Sequence, residues 1–319
     1  MDYKQLVDPE LRKTAKSFPF NQFIVAAGNI YQEAGWRFVK PPEGIREEET
    51  KIEGFQGRWY KTTVFSPAGK GERLPAFLYV HGGAFVYKAA IYQKKLAFIY
   101  SERAECKVFF PHYHLAPKDR HPAAYEDVLC LYRYMREHAE KLGIDPERIG
   151  IGGDSAGGSI AALICCRWEK EKIGMPCLQM LAYPVTDAEM NTDSMKRFTD
   201  TPKWNARDNA RMWHYYCGED QDLRKRASPM HAELPEKIPQ TYIETAQFDC
   251  LHDEGLLFAE RLREAGADVE INDTKGTFHG YDDAFDAQIV RRNLERRVLF
   301  LRKGFDAGHS SASGCSGIP

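Results

Sequence analysis

An α/β fold, with a mostly parallel central sheet flanked by helices, is what this sequence predicts, and three observations predict it. Short apolar runs, such as residues 74–80 and 240–246, alternate with helix-like stretches along most of the chain. The first of these runs is apolar throughout rather than at every second residue, as suits a strand covered on both faces. The third observation is residues 148–159, RIGIGGDSAGGS. There Ile149 and Ile151 read as the end of a buried strand, Gly153-Asp154-Ser155-Ala156-Gly157 as a sharp turn, and residues 159–164 as a buried helix. A G-x-S-x-G between strand and helix holds its serine exposed at the top of a sheet, with a helix N-terminus facing it. A glycine-rich nucleotide-binding turn is the competing reading, but the G-x-G-x-x-G spacing is missing.

Taken in order, residues 1–50 are helix-like but broken by Pro9, Pro19 and Pro41-Pro42. An acidic connector, residues 43–53, leads to a first strand at 58–65 and a turn at 66–69. The strand at 74–80 runs straight into His81-Gly82-Gly83-Ala84-Phe85. Two glycines at that point let the backbone approach a ligand and turn its N–H groups inward. A helix at 92–105 and a strand at 107–110 follow. The next helix has Pro122 near its start and Gly143 as its C-cap. After the elbow comes a strand at 177–185. The β–α–β–α–β order implies right-handed parallel crossovers. Residues 187–230 break the pattern: they are polar, carry Trp204, Trp213, Tyr215 and Tyr216, and suggest only a helix near 206–217. Such an insertion at the carboxyl end of a strand lies where open α/β sheets bind ligands, so Trp204 or Trp213, or both, are expected to line a pocket mouth. A strand at 240–246, an amphipathic helix ending at Gly266, and a last strand from Val269 complete the sheet. Thr277–Tyr281 is expected in the loop beyond it. A final helix carries Val290, Leu294, Val298 and Leu301 on one stripe, and the Gly/Ser/Ala-rich residues 304–319 read as a disordered tail.

The 319 residues include 44 Lys+Arg against 46 Asp+Glu, a net charge of −2 that favours neither nucleic acid nor anionic lipid as a partner. Nothing approaches the roughly 18 apolar residues of a membrane span, and the charged N-terminus lacks a signal-peptide core. The eight cysteines form no C-x-x-C pair, which suits reduced thiols in a cytoplasmic protein, and with the ten histidines they offer no metal-ligand spacing.

A serine hydroxyl becomes a nucleophile when a base takes its proton and an acid orients that base. After a G-x-S-x-G turn the chain order should be serine, acid, histidine. Asp249 directly follows a predicted strand, and His279 lies beyond the next one. Asp253 and Glu254 are rival acids but fall at a helix start. His252, His112 and His114 lack the placement after a strand. The glycines at 82 and 83 are suited to supply oxyanion donors.

With these residues in view, the chain resembles the hormone-sensitive-lipase-like carboxylesterases of the α/β-hydrolase superfamily. The resemblance rests on HGGAF at 81–85, YHLAPKDRHPAAYEDV at 113–128, GDSAGG at 153–158, YP at 183–184, FDCLHDEG at 248–255 and FHGY at 278–281. It implies an α/β-hydrolase fold and a triad of Ser155, Asp249 and His279. It also implies oxyanion donors from Gly82, Gly83 and Ala156, with His81 as a structural hydrogen-bonder. A cap would be built from residues 1–50 and 187–230 over a core of 51–186 and 231–303. The substrate would be a short- to medium-chain acyl ester, with no cofactor. Ala84 stands where the family usually has a third glycine, Lys118 where it has glutamate, and Cys250 where it has proline. Amide hydrolysis by the same triad stays open, as does a homodimer. A non-catalytic receptor on this fold would be expected to lack His279.

Overall fold

The computed structural model describes residues 3–71 and 73–312. Eight strands make one sheet: β1 (Ile45–Glu53), β2 (Trp59–Pro67), β3 (Leu74–Val80), β4 (Lys107–Pro111), β5 (Ile144–Asp154), β6 (Leu178–Ala182), β7 (Gln240–Phe248) and β8 (Val269–Phe278). Their spatial order is β1-β2-β4-β3-β5-β6-β7-β8. Pairing is antiparallel from β1 to β4 and parallel from there to β8. The parallel strands bury Phe77, Leu78, Ile151, Leu181 and Ile243 almost completely, as helices on both faces require.

Three boundaries differ from the sequence reading. The acidic connector is a strand, β1. Its register runs from Ile45 opposite Pro67 to Glu53 opposite Trp59. Only Ile45 and Ile52 are buried along it, so no apolar alternation announces it, and its charges suit a sheet edge. At the other edge β8 continues to Phe278, so Thr277 and Phe278 lie within the strand and His279 follows it at once. The last correction concerns the tail: the final helix spans Gln288–Ala312 rather than stopping before residue 304. Phe305 is 2% exposed and continues the stripe of Leu294, Val298 and Leu301. Gly304 lets that helix close on β6, because a Cβ there would stand 2.4 Å from Leu178 Cδ2. Residues 313–319 of the expected tail lie outside the described residues.

In the 187–230 stretch the chain forms helices at Asp193–Arg197, Ala206–Cys217 and Gln221–Ala227, the second with the predicted bounds. No helix among the described residues is long and apolar enough to cross a membrane.

Phe305 gives this description a test. Phe305→Ala should lower the unfolding free energy by about 3–5 kcal/mol in a denaturant titration, the usual cost of emptying a buried phenylalanine site. A dispensable tail would show no change.

Candidate active site

The site begins with backbone geometry. Ser155 has φ 53° and ψ −119°, a strained turn between β5 and the helix Ala156–Arg167. The turn is pressed against the end of β3. A Cβ on Gly153 would lie 2.3 Å from Val80 O, and one on Gly157 only 2.0 Å from it. No side chain fits either position.

Ser155 Oγ lies 2.9 Å from His279 Nε2, and His279 Nδ1 lies 2.7 Å from Asp249 Oδ2. The structure therefore brings together the three residues picked from sequence, across 124 and 30 positions of chain. Asp249 is fully buried, and its other oxygen accepts from Leu251 N at 3.0 Å. The rival acid Asp253 lies elsewhere, accepting from Ser194 N and His252. His114 is tied to Asp127, and His112 contacts Thr63.

Behind His279 is a buried charged network. Tyr183 sets its ring 4.8 Å from the imidazole, edge to face, and donates to Asp282 Oδ2 at 2.5 Å. Arg297, 1% exposed, reaches both Asp282 and Glu244, and Tyr281 donates to Glu244 at 2.6 Å. Asp282 is three residues past His279, so Arg297 on the final helix anchors the histidine loop to β7.

The oxyanion donors need one correction. The N–H of Gly82 is engaged by Asp154 Oδ1 at 3.2 Å, and Gly82 does not line the cavity. Gly83 and Ala84 do, and neither N–H has an acceptor among the described residues. Nor does that of Ala156, the first residue of its helix. The available donors are thus those of Gly83, Ala84 and Ala156. Gly82 serves by close approach instead, since a Cβ there would meet Asp154 Oδ2 at 2.5 Å.

Asp154, unassigned from sequence, organises this loop. Besides Gly82 N, it accepts from Tyr79 Oη at 3.0 Å, Gln93 Nε2 at 2.7 Å and Tyr92 Oη at 3.3 Å. Burial still pushes its carboxyl above the usual range, against those donors. His81 is held in the loop by a 2.6 Å contact between Nδ1 and Gly82 O, and by stacking on Tyr113 at 4.3 Å. Burial lowers its pKa to about 4, so the ring is neutral near pH 7 and Nδ1–H is the donor.

A cavity of about 330 Å³ opens at Ser155 and His279, walled by Phe18, Phe20, Tyr87, Tyr92, Lys203 and Trp204. Trp204 lies 6.0 Å from the His279 ring and 5.2 Å from Phe20, so the N-terminal segment and the 187–230 stretch meet over the site. Trp213, expected at the mouth, is fully buried beneath it, 6.4 Å from Phe85 and 6.3 Å from Tyr216. It lies on the inward face of its amphipathic helix with Asn209, Met212 and Tyr216. Among the described residues one group, Asp187, Glu189 and His231, has metal-ligand atoms close together. His231 Nε2 is already paired to Asp187 at 3.0 Å, and none of the three lines this cavity.

Comparison with known proteins now places the chain. Residues 77–283 match a family described as having the alpha/beta hydrolase fold. Esterase LipI of Mycobacterium tuberculosis is 32% identical over 289 residues, 88% of this chain and 89% of that one. An ethyl acetate hydrolase of Pseudomonas putida is 31% identical over 226 residues, 70% of each. Among solved structures, a bacterial heroin esterase superposes with a TM-score of 0.86 at 29% identity, covering 94% of this chain and 98% of that one. The chain belongs to this α/β-hydrolase family, and within it to the carboxylic ester hydrolases.

Arg297 supplies the test of the buried network. Arg297→Met should destabilise the protein by about 3–5 kcal/mol, because Glu244 and Asp282 would be left buried without a countercharge. Denaturation melts of the variant measure this. A loss below about 1 kcal/mol, the scale of an exposed ion pair, would contradict the anchoring role.

Proposed function

We propose that the chain hydrolyses short- to medium-chain acyl esters through an acyl-enzyme on Ser155. The observation that carries this reading is the unbroken line from Ser155 Oγ through His279 to buried Asp249, at 2.9 and 2.7 Å. His279 Nε2 accepts the Ser155 proton as Oγ attacks the ester carbonyl. Asp249 fixes the tautomer with Nε2 free to accept, and stabilises the imidazolium that forms. The N–H groups of Gly83, Ala84 and Ala156 receive the oxyanion. The imidazolium protonates the leaving alcohol, and a water activated by the same histidine then releases the acid. No step calls for a metal or an organic cofactor. Preference for shorter acyl groups is supported by the size of the cavity and by the aromatic walls of Phe20, Tyr87 and Trp204. The esterase names of the relatives favour esters over amides.

A series of p-nitrophenyl esters graded in acyl length tests the reading. Ser155→Ala should remove nearly all turnover with the fold intact, and Asp249→Asn should lower kcat by up to about 10⁴. Undiminished hydrolysis by Ser155→Ala would overturn the assignment. Trp204→Ala should shift the profile toward longer chains while sparing acetate. The oxyanion loop separates two further variants. Gly83 has φ 121°, and a Cβ on it would stand 2.9 Å from both Tyr87 Cβ and Tyr87 O. Gly83→Ala should therefore cost about 10²–10³ in kcat, the scale of a lost oxyanion donor. Ala84 already bears a Cβ at φ 56°, so Ala84→Gly keeps the N–H and should stay within about tenfold of wild type.

A further inference from the structure

A second cavity, of about 190 Å³, lies beside the Ser155 cavity, with Gln32 lining both. Its floor is buried and largely aromatic. His81 and Tyr113 form a stacked pair at 4.3 Å, and Trp36 meets His112 edge to face at 4.9 Å. Its rim is charged and open to water, carrying Arg37, Lys61, Lys88 and Glu33. The catalytic cycle uses none of these side chains.

Three features define what would fit. The first is size: a cavity of about 150 Å³ holds a benzene ring, so a single-ring molecule suits this one. The second is shape. Flat rings on the floor accept another flat ring by offset or edge contact. Charge is the third feature. Lys88 and Arg37 share one carboxylate, Glu33, while Lys61 pairs with Glu49 at 2.9 Å. Three rim cations thus face two acids. Both histidines are held neutral by burial and demand no counterion. His81 spends Nδ1 on Gly82 O, which leaves Nε2 without a protein partner among the described residues, and the Trp36 indole N–H is likewise unpaired.

We propose that this cavity is a binding site for a small planar carboxylate, its ring on the Trp36–Tyr113 floor and its carboxylate among Lys61, Lys88 and Arg37. The position matters because Lys88 and Ala89 belong to the segment that follows Gly83 and Ala84. An occupant would rest directly on the back of the oxyanion loop.

Isothermal titration of the full chain with sodium benzoate, and with benzamide as its neutral isostere, tests this. Benzoate should bind wild type at least about tenfold more tightly than benzamide, as a charge-assisted contact predicts. Lys88→Met and Lys61→Met, both near the surface, should each weaken benzoate by about threefold or more. Ala89→Leu should abolish binding by filling the floor. Trp204→Ala should leave the affinity within about twofold, since Trp204 lines the Ser155 cavity and not this one. Melting curves exclude unfolding as the cause of any loss. Three outcomes overturn the proposal: no binding of benzoate, equal binding of benzamide, or sensitivity to Trp204→Ala without sensitivity to Lys88→Met. The last would put benzoate in the Ser155 cavity.

Discussion

One backbone contact governs this molecule: the elbow after β5 lies against the carbonyl of Val80 at the end of β3. Gly153 and Gly157 stand so near that oxygen that a methyl group on either would sit 2.3 or 2.0 Å from it. Because Val80 directly precedes His81, the same contact sets the distance between the Ser155 hydroxyl and the N–H groups of residues 83 and 84. Moving the two strands apart by even one methyl group would separate that hydroxyl from those N–H groups. Reacting groups need placement far finer than that.

Asp154 locks this arrangement from below. A buried carboxylate is costly unless hydrogen-bonded, and four donors from β3, the oxyanion loop and the helix Ile91–Arg103 converge on it. The side chain next to Ser155 thereby holds the loop opposite it. Arg297 does the same for His279 from the other end of the chain. The oxyanion loop and the histidine loop are thus each tied down by a buried charged group, Asp154 in the one case and Arg297 in the other.

The sequence displayed the parallel core, the elbow and the order serine, acid, histidine, because those depend on local signals: apolar runs, small residues at a tight turn, residues just after strands. It concealed what depends on tertiary partners. Gly82 and Gly83 looked equivalent as donors. Only the structure shows the Gly82 N–H spent on Asp154 while that of Ala84 has no acceptor among the described residues, at a positive φ no alanine advertises. Trp204 and Trp213 looked alike as aromatic residues of one polar stretch, yet one walls the cavity and the other is packed beneath it. β1 was hidden because an edge strand needs little apolar surface. Arg297 did leave a trace. It falls among Val290, Leu294, Val298 and Leu301 on the apolar stripe of the last helix, where a charge calls for a buried partner.

The aromatic contact between Phe20 and Trp204, and the reach of Arg297 back to β7, together span nearly the whole polypeptide. The cavity draws its walls from five separate regions of the chain, 18–32, 83–92, 154–155, 203–204 and 279–283. The two ends of the polypeptide are thus joined through the site: the N-terminal segment covers it and the last helix holds its histidine loop.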